Sequence, residues 1–419
     1  MKKLFTLVLL CISLFSIAQN DSIFLGADSK NMVFYNIHFT PHTKTTVPND
    51  DWHIAFSVRP AAFPNNTNQS AAIRINEAFG LKLYHSTQKL SNFSTFDTTG
   101  WQGWQRMHNP DTTWTIGAFN INKDFASAYN YGWGTYQFAH HNVVGDSTLY
   151  LLQLPDSTFR KLAILNLAYD TAFNIQYSNL DNTGLSTLEI RKKPYRTKNF
   201  VYLNLNNQTI MDKEPALTDW SMVFLRYNHT NIDTANLSQD MGVLTNDSHL
   251  CATDSSGAGL TGWCVDTQHY SYYINQIGQT SKYHPSEVLV PNKHYFIRHD
   301  PTGLFRISFT TWGSATDGNI TLQLADCEFV GINDIATDKL TLYPIPATDK
   351  LLLKLNSTSP SPAIQVYDMI GKLLITDDKP QPVDAGTYSL NIATLQSGNY
   401  IVSVTIDGNR INKLISVIK

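Results

Sequence analysis

The stretch NMVFYN (residues 31–36), followed by DWHIAF (51–56), organises the reading of this chain because it comes back as NFVYLN (199–204) followed by DWSMVF (219–224), both blocks 168 positions later. A second pair of phrases repeats at a shorter interval: LYLL (149–152) and FRKLAI (159–164) have counterparts in HYFI (294–297) and LFRISF (304–309), 145 positions on. The first unit therefore carries extra residues between its early and late strands, which we place in the aromatic stretch from Phe93 to Tyr136. In each copy alternate residues (Val33, Tyr35, Ile37; Val201, Leu203, Leu205) fall on one face, as in a strand. Trp52 and Trp220 begin the next strands, with enough apolar area to anchor a core. Turns such as Pro155-Asp156 and Pro301-Thr302-Gly303 punctuate the later hairpins, and no long amphipathic helix is found. The expectation is an all-β protein of two antiparallel β units, 19–195 and 196–331. Whether they stand apart or share one core is left open.

Composition narrows the function classes. With 31 Lys plus Arg against 34 Asp plus Glu, the chain is near neutral and has no basic stripe of the kind nucleic acid requires. No H-E-x-x-H, G-x-S-x-G or P-loop motif appears, so no enzyme activity is expected. At the start, Met1-Lys2-Lys3 precedes an apolar run, Leu4 to Ile17, and Ser16-Ile17-Ala18 offers a signal-peptidase site. Residues 1–18 read as a signal peptide, too short to span a membrane, and no later segment is long enough either. Beyond it lie Cys251, Cys264 and Cys327, an odd number for an oxidising compartment. Cys251 and Cys264 flank a Ser- and Gly-rich loop, which predicts a local disulfide and leaves Cys327 as a thiol.

Residues 332–419 form a separate region. Short alternating runs between Gly, Pro and Asn-Asp punctuation predict a small immunoglobulin-like sandwich. The phrases LYPIPATDKLLLKL, IQVYDMIGKLL, LQSGNYIVSV and NKLISVIK resemble the type A C-terminal sorting domain of cargo exported by the type IX secretion system of Bacteroidetes. Ile345 stands where that family usually has Asn. The resemblance implies the type IX machinery as partner, and a protein secreted or held at the outer cell surface.

The body resembles a second family. DWHIAF, SAAIRINEAFGLKLY, YGWGTYQFAHHNVVGDSTLYLLQL, RKLAILNL, DWSMVFLRY and MGVLTND, spread between Met32 and Phe329, are similar to the HmuY-like family, whose founding members are secreted or surface haem-binding proteins with an all-β fold. The resemblance implies haem as cofactor, with His140 and His141 as candidate iron ligands and Trp133 and Tyr136 lining the porphyrin. His284 is the counterpart in the second unit. Phe173 to Ile190, where a partner ligand is expected, contains no histidine, so Met107 and His108 are the next places to look. His229 reads as a solvated loop residue. A rival class rests on Trp101, Trp104, Trp114, Tyr129 and Tyr131 beside Trp133 and Tyr136, since exposed rings stack on sugars; a surface glycan is then the partner. Asp97-Thr98-Thr99, Asp170-Thr171-Ala172 and Asp233-Thr234-Ala235 resemble O-glycosylation acceptors.

Overall fold

The structure is a computed structural model describing residues 19–38, 41–60, 70–229, 238–254, 270–279, 282–283, 288–290, 293–299, 303–314, 316–326, 340–355, 362–368, 372–377, 380–384, 386–406 and 409–419. The predicted signal peptide, Cys264, Cys327, His284 and Asp233-Thr234-Ala235 lie outside them. The chain divides into two compact units, one ending at Cys327 and one beginning at Glu328. Both are β, and the helical pieces among the described residues are short 3-10 turns.

In the larger unit the first repeat supplies β1 (Gln19–Phe24), β2 (Asn31–Asn36), β3 (Thr43–Pro48), β4 (Ile54–Ser57), β5 (Ile73–Ile75), β6 (Lys82–Lys89), β7 (Gln105–Met107), β8 (Gly134–Gln137), β9 (Asn142–Gly145), β10 (Thr148–Gln153), β11 (Phe159–Ala168) and β12 (Ala172–Asn179). The second supplies β13 (Ser186–Arg191), β14 (Phe200–Asn204), β15 (Thr209–Met211), β16 (Met222–His229), β17 (Ser238–Thr245), β18 (Leu250–Asp254), β19 (Lys282–Tyr283), β20 (Val288–Leu289), β21 (His294–His299), β22 (Gly303–Trp312) and β23 (Asn319–Asp326). The strands form two sandwiches that do not follow the repeat boundary. One pairs an outer sheet, β1-β23-β22-β21-β18, with an inner sheet, β17-β16-β2-β3. The other pairs an outer sheet running β13-β12-β11-β10-β6-β7, with β8 and β9 attached, and an inner sheet, β15-β14-β4-β5. Each repeat thus hands its first three strands to the sandwich of the other.

The registers show how closely the exchange is mirrored. Ile54 faces Leu203, Ala55 faces Tyr202 and Phe56 faces Val201; their counterparts Met222, Val223 and Phe224 face Tyr35, Phe34 and Val33. The outer ladders shift register at equivalent places, between Ile164 and Asn166 and between Phe309 and Thr311. Because Ile190 on β13 faces Phe173 as Ile23 on β1 faces Ile320, β13 is the counterpart of β1. The repeat boundary therefore falls between Asn179 and Ser186, rather than at 195/196 as the sequence phrases suggest.

Inner strands are buried on both faces, so they read as nearly unbroken apolar runs rather than a clean alternation. Val33 and Tyr35 face into their own sandwich, while Met32 and Phe34 join Trp52, Trp114, Tyr202, Trp220 and Tyr227 in a third core between the two inner sheets. The two repeats share that core. Trp220 meets Phe34 edge-on at 5.3 Å, and Trp52 meets Tyr202, the counterpart of Phe34, at 4.8 Å. Asn76 Nδ2 donates to the carbonyls of Asn49 (2.7 Å) and Trp52 (3.1 Å), and Asn246 Nδ2 repeats the device on Leu217 (2.8 Å) and Trp220 (3.0 Å). A bidentate Arg59–Asp247 pair (2.6 and 2.7 Å) and the Trp114 indole N–H on the Thr245 carbonyl (2.8 Å) tie one repeat to the other.

The smaller unit contains β24 (Leu340–Tyr343), β25 (Lys350–Leu355), β26 (Ala363–Tyr367), β27 (Leu373–Asp377), β28 (Pro382–Asp384), β29 (Thr387–Asn391), β30 (Gly398–Ile406) and β31 (Asn409–Val417). Two sheets, β24-β25-β29-β28 and β27-β26-β30-β31, enclose a core that includes Leu351, Leu353, Val366, Leu390, Val402 and Val404. The final residue is tied down, with Lys419 Nζ donating to Asp349 Oδ1 (2.5 Å) and the Thr348 carbonyl (2.8 Å).

Candidate functional site

The four residues expected to hold haem are divided by the fold. His140 and His141 lie at the turn of the β8–β9 hairpin, and both are exposed. Tyr136 Oη is 3.0 Å from His141 Nδ1. Tyr136 stacks with Tyr129 (6.2 Å) and meets Phe138 edge-on (5.2 Å), which makes the tip a small aromatic knuckle. Trp133 is buried, its indole N–H donating to the Ala71 carbonyl at 3.0 Å and its ring against Phe173. Tyr136 and His141 are therefore brought together, and Trp133 belongs to the hydrophobic core.

The neighbouring candidates also serve the fold. Met107 is buried, and His108 Nδ1 lies 2.7 Å from Glu77 Oε1. His229 is not a solvated loop residue: it ends β16 with Nδ1 2.6 Å from Asp111 Oδ2, and this hydrogen bond raises its pKa against the opposing effect of burial. Cys251 is buried on β18 and has no disulfide partner among the described residues; desolvation pushes the pKa of its thiol up. The predicted partner, Cys264, is outside the described residues. Of the rival aromatic cluster, Tyr131 and Trp133 fill the core, Trp114 joins the interface core, and Trp101 packs between Tyr84 and Phe159.

A different site emerges between the inner sheets. A cavity of about 70 Å³ opens there, several times the space one water needs. Its aromatic wall includes Phe34, Trp52, Trp114, Tyr202, Trp220 and Tyr227, and Arg74, Glu77, Asp111, Glu214 and Arg226 bring charge to it. These residues converge because both inner sheets turn their second faces toward each other.

Arg74, Glu77 and Glu214 are each held by several partners. Arg74 donates to the carbonyls of Pro110 (2.9 Å), Thr113 (2.9 Å) and Ile116 (3.0 Å) and lies 5.2 Å over the Trp114 ring. Desolvation lowers its pKa to about 10, with Glu77 and Asp111 opposing that shift. Glu77 accepts from the Asn228 amide (2.9 Å), the Asn109 amide (3.0 Å) and the Asn109 backbone N–H (3.1 Å). Glu214 accepts from the N–H groups of Asn199 (2.8 Å) and Phe200 (3.2 Å) and from Tyr202 Oη (2.5 Å). Burial raises its pKa to about 7 despite those three donors.

Four buried polar atoms on lining residues have no partner among the described residues: Trp220 Nε1, Tyr227 Oη, Asn199 Oδ1 and Arg226 Nε. An unmet buried hydrogen-bonding atom costs about 1–3 kcal/mol, so their grouping around one cavity marks a place where a polar ligand or ordered water completes the set. The signal in the sequence was faint: Arg74 and Glu77 interrupt the otherwise apolar phrase around SAAIRINEAFG, while their companions are scattered through both repeats. Among the described residues no group of three or more His, Cys, Asp or Glu forms a metal site.

Comparison with known proteins identifies the smaller unit. Residues 341–418 match the secretion system C-terminal sorting domain family. No curated protein matches the chain, and no HmuY-like family is found for the body. The type IX sorting domain directs the protein to the outer cell surface or the extracellular space. Among the described residues no helix is long and apolar enough to cross a membrane.

Proposed function

We propose that the exported body is a binding protein for glycans, taking one terminal sugar residue into the cavity between the inner sheets. The observation that carries this reading is the joining of an aromatic wall to unpaired polar atoms at Trp220, Tyr227 and Asn199. A sugar presents an apolar ring face and a rim of hydroxyls, which need stacking and hydrogen bonding together. The carboxylates favour binding over turnover, because both oxygens of Glu77 and of Glu214 already accept from donors fixed in the fold.

The test is titration of the mature protein with mono- and oligosaccharides, followed by indole fluorescence. Tyr227→Phe removes only the unpaired hydroxyl; about tenfold weaker binding at unchanged or raised thermal stability is expected. The tetrapyrrole alternative rests on the Tyr136–His141 contact at the hairpin tip. Absence of sugar binding, together with a Soret band on haem addition that is lost in His140→Ala, His141→Ala, would replace the glycan reading.

A further inference from the structure

The smaller unit carries an apolar row on the outside of one of its sheets. Tyr367 on β26 faces Leu373 on β27 and Ile401 on β30, and Ile401 faces Leu414 on β31. Directly paired residues share a face of the sheet, and side chains alternate along each strand. Val366, Val402 and Ile415, the chain neighbours of three members, belong to the core. Tyr367, Ile401 and Leu414 therefore point away from it, and Leu373 points with Tyr367. We propose that this row is the surface by which the sorting unit docks on an apolar patch of the type IX export machinery. Docking there does not depend on what the body binds.

The fold has no need of apolar side chains at these places, because none of the four belongs to the core between the two sheets. Leu373 and Leu414, at the two ends of the row, are 47% and 54% exposed. A bulge where the register shifts between Val366 and Tyr367 sets Leu374, also exposed, beside Leu373. With strands about 4.8 Å apart, the row runs about 14 Å across all four strands. Single exposed apolar residues are ordinary, but a contiguous set rimmed by polar groups marks an interaction site. That rim is present: Thr376, Gln365 and Ser403 form the next row, and Tyr367 Oη donates to Gln365 Oε1 at 2.7 Å.

The opposite sheet supplies the contrast. Across β24, β25, β29 and β28 the paired residues Thr341, Lys354, Thr387 and Asp384 make a row that is polar throughout. It too is on the outer face, since Leu342, Leu353 and Tyr388 beside its members pack on the core. One sandwich thus has a polar row outside one sheet and an apolar row outside the other. Strand pairing alone does not call for leucine at 373 and 414.

The place of the row in the chain points to its occupant. All four members lie within residues 341–418, the segment matched to the sorting family, and engaging the export machinery is the task that match gives the unit. The row contains no Lys or Arg of the kind that draws a protein to an anionic membrane. A Tyr and an Ile flanked by leucines, with polar groups outside them, instead has the anatomy of a protein interface.

The test uses the full-length chain carrying Leu373→Glu, Leu414→Glu, expressed in cells with a type IX system. Protein at the surface and in the medium is compared with that retained in the periplasm. The exported share should fall about tenfold or more, because a charge in place of each leucine removes the apolar contact. Both positions are on the outer surface, so the purified variant should unfold with the parent. Leu373→Ser, Leu414→Ser should show a smaller loss in the same direction, and Thr341→Glu, Lys354→Glu, on the opposite sheet, should be exported like the parent. Parent-like export of the folded Leu373→Glu, Leu414→Glu variant, or an equal loss in the opposite-sheet control, would overturn the docking surface. Unchanged export, with dimer sedimentation or retention on phosphatidylethanolamine vesicles by the parent and not by that variant, would assign the row to a second copy or to lipid instead.

Discussion

The two sandwiches of the body have one strand plan and different furnishings. Trp52 and Trp220 occupy matching positions, yet the Trp52 indole N–H donates to Asn49 Oδ1 at 2.9 Å while that of Trp220 has no partner among the described residues. Leu81 is replaced by His249, and Asn206 by His38. Between β6 and β10 lie β7, β8, β9 and several turns, including the hairpin tip at His140 and His141, where the other sandwich has β19 and β20 among the described residues. What recurs is what the frame needs: apolar inner strands, an indole ahead of each, and an asparagine tying that indole's loop. What fails to recur is released from the frame and open to another purpose.

The comparison breaks most severely if either repeat can stand alone. Residues 186–326 expressed without the first repeat should remain unfolded by circular dichroism and regain β structure when residues 19–185 are supplied. A cooperative transition from either piece alone would mean that strand exchange is unnecessary. Next in size are the anchors: Trp52→Ala and Trp220→Ala should each lower stability by about 3–5 kcal/mol in denaturant unfolding. If either melts like the parent, the two positions are not equivalent supports.

A pH series tests the interface core. Glu214 has a folded pKa raised to about 7 from 4.5 by burial. Below 4.5 both states hold its proton; between 4.5 and 7 the unfolded chain releases it first, so stability should fall as pH rises, by about 3 kcal/mol, and level off above 7. His229 acts in the same direction, since its raised pKa gives stability that is complete below 6.5 and lost as pH rises through the folded value. Urea midpoints from pH 4 to 8 should decline in the parent and flatten in Glu214→Gln. The finest distinction is between Trp52→Phe and Trp220→Phe: the first also breaks a hydrogen bond and should be less stable by about 1 kcal/mol.

Much of the frame was legible in the sequence. The 168-residue recurrence of strand and indole, the extra residues before the later pair, and the sorting unit's strands all came from apolar spacing and turn residues. Strand exchange was not legible, because a repeat specifies the same register whether a strand pairs within its own unit or with its twin: Ile54 facing Leu203 and Met222 facing Tyr35 satisfy one pattern. The cavity was hidden for a related reason, its lining coming from both copies. The contact of His38 with His249, whose Nε2 atoms meet at 3.1 Å, was hidden in the same way, since the two stand 211 positions apart.

The pairing of β1 with β23 makes the last strand of the body its latch. An emerging chain has its opening strand in hand from the start, but nothing to fasten it to until residues 319–326 arrive. Long-range closure of this kind is slow. The export address follows directly behind the latch in chain order. A molecule truncated before β23 lacks both the final fastening and the label that directs the protein to the cell surface or the extracellular space.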